Sequence, residues 1–211
     1  MESIPYLSEI VTMSVIAVLM AISPGSDFVM VSKNSIFYGR KSGIYSAIGI
    51  SAAIWIHVTY SIAGLAVIIS NSVVLFSILK YMGAAYLIYV GWKTFTSSSL
   101  PSINEQKKEQ NISNFKAFKN GFISNVLNPK TTIFFLSIFT QVVTIETPLW
   151  VQLVYGLLIS LAHLVWFTVV TYMFTHSVLL DKFYESKKTI ERVIGIVLVG
   201  FGLKVAFASN N

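Results

Sequence analysis

Cysteine is absent from the 211 residues, which excludes disulfides, iron–sulfur clusters and thiolate metal sites. Charge is scarce as well. Only 11% of residues are Asp, Glu, Lys or Arg, and nine are acidic, against about 25% charged residues in an ordinary soluble domain. A chain so poor in charge can neither cover a soluble surface nor stay disordered. Enzyme signatures are missing too: there is no H-E-x-x-H pair, no glycine-rich phosphate loop and no G-x-S-x-G. What the chain has instead is apolar residues, 55% of the total, with a mean hydropathy of +0.71 and a net charge of +6. These values describe an integral membrane protein.

A membrane-spanning helix needs about 20 mostly apolar residues. Residues 10–32 carry one charge, Asp27, and residues 44–92 carry one, Lys80. Residues 120–145 contain only Lys130, 147–180 contain none, and 193–208 contain only Lys204. The pattern predicts an all-α, polytopic protein with six transmembrane helices near 5–32, 42–69, 73–95, 117–145, 149–177 and 188–208, with Asn71-Ser72 as the second turn. Continuous runs of this length exclude a β-barrel, whose strands alternate over about 10 residues.

The basic residues set the orientation. Twelve of the 15 follow helices 1, 3 and 5: Lys33, Arg40 and Lys41; Lys93, Lys107, Lys108, Lys116 and Lys119; Lys182, Lys187, Lys188 and Arg192. The opposite side carries Glu2, Glu9 and Glu146. The basic side is read as cytoplasmic, which puts both termini outside in an inner (plasma) membrane. The start, Met1-Glu2, has no basic segment of the kind that opens a cleaved signal peptide. The +6 is then a topology signal beside anionic lipid, not a nucleic-acid footprint. The polar stretch at 96–114 divides the chain into a first three-helix repeat (1–96), a cytoplasmic linker (97–115) and a second three-helix repeat (116–211).

Three helices per half forces the halves into opposite orientations, the arrangement of an inverted repeat. Helix 1 carries Ser23-Pro24-Gly25-Ser26-Asp27 and helix 4 carries Asn125-Val126-Leu127-Asn128-Pro129-Lys130. Pro24 lies nine residues before Lys33 and Pro129 ten after Lys119, so both sit about 14–15 Å in from the basic boundary, near mid-membrane. Ser23-Pro24 and Asn128-Pro129 each read as an N-cap with proline at the first helical position. Helices 1 and 4 are therefore expected to break and restart, each restart offering backbone N–H groups and a partial positive charge to an anion. Pairing of the two charges as a structural ion pair, or a Lys130 that snorkels to the surface, is the plainer alternative.

Asp27 and Lys130 are the charges nearest the midplane, where ionised side chains cost about 2.5–3.5 kcal/mol on insertion scales. Asp27 would hold an ammonium group or a proton. Lys130 and the helix ends, with Ser23, Gly25 and Asn128 around them, would hold a carboxylate, and Asn125 would line the polar path; together they suit a zwitterion. His57 lies 33 residues after Pro24 and His163 34 after Pro129. They are candidate proton-coupling groups, or hydrogen-bonded packing residues. Gly39, Gly43, Ala47 and Ser51 recur every four residues, a spacing for close helix packing. Trp92 and Trp150 read as interface anchors. No cofactor or metal is called for. The partners are a small molecule and membrane lipid, and a homo-oligomer is compatible with the reading.

These residues also carry a family resemblance. S-P-G-S-D-F-V-M-V at 23–31, Y-G-R-K-S-G at 38–43, A-I-G-I at 47–50, K-Y-M-G-A-A-Y-L-I-Y-V-G at 80–91, G-F-I-S-N-V-L-N-P-K-T at 121–131 and F-F at 134–135 occur in order. Together they resemble the LysE/RhtB family of amino-acid exporters along nearly the whole chain. Ser26 stands where the family usually has a second proline. Asp27 with F-V-M-V, and W-F-T-V-V at 166–170, look most like the threonine-efflux branch. The resemblance implies proton-driven export of threonine, homoserine or a related neutral amino acid. Export of a basic or branched amino acid or of a cation, and a membrane-embedded enzyme, are the alternatives.

Overall fold

A computed structural model describes residues 6–23, 25–71, 73–96, 112–144 and 146–207. Pro24, Ser72 and nearly all of the expected linker lie outside the described residues. All regular structure among the described residues is helical: α1 (Leu7–Ile22), α2 (Ser26–Tyr38), α3 (Arg40–Asn71), α4 (Val73–Thr96), α5 (Asn114–Val126), α6 (Pro129–Val142), α7 (Leu149–Phe174) and α8 (Ser177–Phe207). The first expected span is thus the pair α1–α2, bent by 55°. The fourth is the pair α5–α6. Among the described residues, Arg40–Gly64 and Leu149–Phe174 are each long and apolar enough to cross a membrane alone, and α1–α2 makes a third if counted as one span.

Three expected boundaries move. The loop expected around Lys33 to Lys41 is a single residue, Gly39. It turns α2 into α3 at φ 85°, a left-handed conformation that suits glycine. It therefore drops out of the small-residue packing series. Arg40, the next residue, donates to His176 Nε2 at 2.8 Å and lies 4.6 Å from the Tyr172 ring centroid, fastening the corner to the end of α7. The last helix starts at Ser177, not near 188, and α5 starts at Asn114, where Ser113 Oγ accepts from Lys116 N at 3.2 Å. Lys and Glu end an apolar run but are good helix formers, so these helices continue beyond it.

Packing follows the apolar stripes. α1 buries Met13, Ile16, Ala17, Met20 and Ala21, the i, i+3, i+4 pattern of one helix face, while Val11, Val15 and Val18 are exposed. Exposed apolar side chains recur on α4, α7 and α8, for example Met82, Val165 and Ile196. Such a surface suits lipid, not water. The main core joins α1, α3, α4, α6, α7 and α8 around Phe134, Phe135, Phe139, Tyr155 and Leu198. A smaller one joins α2, α3 and α7 around Phe28, Val31, Ile50 and Val170.

The tightest crossing is α3 against α5. A Cβ on Gly49 would collide with the Phe118 carbonyl oxygen, and one on Gly121 with that of Ser46. Ser46 Oγ also accepts from Asn34 Nδ2 at 2.7 Å, so this polar contact ties α2 to the crossing. From the predicted small-residue series, Gly43 abuts Ser35 and Thr171, Ala47 is fully buried, and Ser51 Oγ meets Ser160 Oγ of α7 at 2.8 Å.

Candidate functional site

The two helix breaks meet inside the protein. Ser23 does not cap the helix that follows it. Its backbone is extended (φ −60°, ψ 117°) and its N–H closes α1 onto the Leu19 carbonyl at 3.0 Å. A residue before proline is driven out of helical conformation in this way. The restart comes later, at Ser26, with Gly25 as N-cap. At the second break the expected pattern is present: Asn128 Oδ1 accepts from Lys130 N at 3.0 Å and Pro129 occupies the first helical position.

Each half supplies the partners of the other half's charge. Lys130, from the second half, donates Nζ to Ser23 Oγ at 2.6 Å and to the Ser23 carbonyl at 3.0 Å. Asp27, from the first half, is 6% exposed. Its carboxylate accepts from Asn125 Nδ2 (2.8 Å) and Asn128 Nδ2 (3.0 Å) on one oxygen and from Ser124 Oγ (3.2 Å) on the other. These are charge-assisted bonds in a low-dielectric setting, stronger than neutral pairs. Ser23, Gly25, Asp27, Asn125, Asn128 and Lys130 are brought together, with Asn125 and Asn128 turned to Asp27 and Ser23 to Lys130, and Pro129 lies exposed at the edge. Lys130 does not simply snorkel; its ammonium turns inward onto Ser23.

The histidines occupy different places around this centre. His57 Nε2 lies 3.1 Å from the Asn125 carbonyl oxygen, so Nε2 carries the hydrogen, and Nδ1 accepts from the Tyr60 hydroxyl. Its ring stacks on Phe135 with centroids 5.3 Å apart. A chain Tyr60–His57–Asn125–Asp27 results. His163 Nδ1 donates to the Ile159 carbonyl at 2.8 Å, and the ring lines the central cavity.

That cavity has a volume of about 20 Å³ and is bounded by Ser23, Asp27, Asn128, Lys130, Thr131 and His163, with Phe134 and Phe167 beside them. It has room for about one water. A second cleft, of about 410 Å³, shares Gly25, Asn128 and Lys130 with it and extends along α4 past Tyr86 and Tyr89 to Lys93 and Thr94. The Tyr86 hydroxyl donates to the Lys130 carbonyl at 3.5 Å. Sequence reading missed Ser124, Tyr60, Tyr86 and Tyr89. Ser124 gave a signal as the neighbour of Asn125 at a helix end, and Tyr60 as the residue one helical turn after His57. Tyr86 and Tyr89 reach the site through helix packing that spacing does not encode.

Apolar outer faces, two interrupted helices and buried charges at their breaks are the construction of a membrane transport protein. A sequence profile of the LysE type translocator family matches residues 18–209, and the chain belongs to that family. It is 34% identical over 201 residues to the uncharacterized membrane protein YrhP of Bacillus subtilis, covering 92% of this chain and 96% of that one. It is 29% identical over 194 residues to the leucine efflux protein of Salmonella typhimurium, covering 90% and 91%. The uncharacterized membrane protein YahN of Escherichia coli is 26% identical, covering 88% and 83%. No solved structure matches.

Proposed function

We propose that the protein exports a small neutral amino acid across the bacterial inner membrane, as a secondary transporter working by alternating access. The observation that carries this is the reciprocal centre: a buried carboxylate and a buried ammonium, each held by the opposite helix break. A zwitterion is the ligand whose two charges match that pair. Asp27 takes the substrate ammonium or a coupling proton. Lys130, Ser23 and Gly25 take the carboxylate. His57 and His163 stand beside Asp27 as proton-relay candidates. The efflux relative's leucine favours the branched, apolar alternative over threonine or homoserine.

Six spans in two inverted repeats remain the reading for the whole chain. Helix packing supports it in part: the α2–α3 and α4–α6 contacts have no comparable counterpart in α6–α7 and α2–α8 among the described residues, whereas the following ones correspond. Exchanging α1 with α5, α2 with α6, α3 with α7 and α4 with α8 carries the α3–α5 contact onto α1–α7, α2–α7 onto α3–α6, and α3–α4 onto α7–α8. The α3–α7 and α4–α8 contacts map onto themselves.

The test is counterflow: proteoliposomes preloaded with unlabelled leucine or threonine are given the labelled amino acid. Wild-type protein accumulates label, and Asp27→Asn lowers the rate at least tenfold, as expected for loss of a charge-assisted contact of about 1.5–3 kcal/mol. An Asp27→Asn protein that matches wild type in counterflow rate would overturn the ammonium role of Asp27, and one that also keeps wild-type export down a proton gradient with unchanged pH dependence would overturn the coupling role.

A further inference from the structure

We infer that the cleft along α4 is an entry site that captures the carboxylate of a neutral amino acid through Lys93 and turns basic amino acids away; this rests on the amino-acid export reading above. The cleft, about 410 Å³, has the size of a small-molecule pocket. Among the described residues its wall carries two cations, Lys93 and Lys130, and no acid. Asp27 stands behind it, on the small central cavity, with its oxygens engaged by Ser124, Asn125 and Asn128.

That charge distribution discriminates by sign. The α-carboxylate of any amino acid meets the Lys93 ammonium, with the positive charge of Lys130, held on Ser23, further in. A lysine or arginine side chain brings a further cation into a cleft whose described wall has no opposite charge to offer it, a repulsive element of the kind that builds specificity. The side-chain space is aromatic: Tyr86 and Tyr89 line it with Val90. Lys93 Nζ lies 6.0 Å from the Tyr89 ring centroid, which places the charge above an aromatic wall. An apolar side chain can lie on that wall while its carboxylate meets Lys93. Lys93 stands in the last turn of α4, at the basic side read as cytoplasmic, so the cleft opens toward the loading side of an exporter. Charge at a cleft mouth raises capture more than it changes later steps.

The experiment uses the full chain in inside-out membrane vesicles, with labelled leucine as substrate and unlabelled lysine as competitor. Lys93→Gln is expected to raise the half-saturating leucine concentration about fivefold, the upper range for a partly exposed charge pair, and to lower the maximal rate much less. Lys93→Arg is expected to restore it. Lys93→Glu is expected to weaken leucine further and to let lysine compete, which wild type does not allow. A general folding defect would lower the maximal rate in all three variants without changing the leucine-to-lysine preference, and that result overturns the inference. So does a half-saturation constant unmoved in Lys93→Gln and Lys93→Glu while wild type transports leucine, which leaves the export reading standing. If wild type moves no amino acid, both fall together.

Discussion

Asn128 holds two parts of the centre with one side chain. Its amide nitrogen donates to Asp27, and its amide oxygen caps α6 by accepting from Lys130 N. The two roles can be separated. Asn128→Ala removes both and is expected to lower stability by about 1 kcal/mol through the lost cap and to reduce transport. Asn128→Ser keeps a capping acceptor but is too short to donate to Asp27. It should melt within a few degrees of wild type in detergent while transporting as poorly as the alanine variant. Ser23 teaches a related lesson about residue type. A serine before proline reads as an N-cap, yet the proline drives its backbone out of helix, so Ser23 ends α1 and turns its hydroxyl to Lys130.

At the level of elements, the breaks in the first and fourth expected helices were legible because proline cannot be absorbed into an apolar helix without a mark. The boundaries elsewhere were less so. Charge reports where an apolar run ends, not where a helix ends, and for this reason Lys33 lies inside α2 and α8 begins eleven residues before the expected start. Close packing was visible as a spacing of small residues, but the residues that set the α3–α5 crossing are Gly49, on another face of α3 from Gly43, Ala47 and Ser51, and Gly121 of α5. Which face meets which helix is decided in three dimensions. Gly121→Ala and Gly49→Ala, each forcing a methyl into a carbonyl oxygen, are expected to cost about 1–3 kcal/mol. Thermal unfolding in detergent would register the loss as a lower midpoint, with Gly64→Ala, where nothing crowds the added carbon, as the neutral comparison.

For the whole molecule, the reading of orientation rests on the twelve basic residues, and the absence of cysteine makes it simple to examine. Lys116 and Trp150 are both exposed and are read on opposite sides. A membrane-impermeant maleimide should label Trp150→Cys in intact cells, and Lys116→Cys only after the cells are opened. The reverse pattern would place both termini inside.

The crossed contacts at the centre have a consequence for how the chain holds together. Asp27 takes hydrogen bonds from Ser124, Asn125 and Asn128 of the second half, and Lys130 gives its own to Ser23 of the first. Neither half alone can shelter its own charge, so each is an incomplete protein with an exposed cost in lipid. Association of the halves and formation of the binding centre are one equilibrium, and whatever ligand fills that centre acts as an adhesive between them.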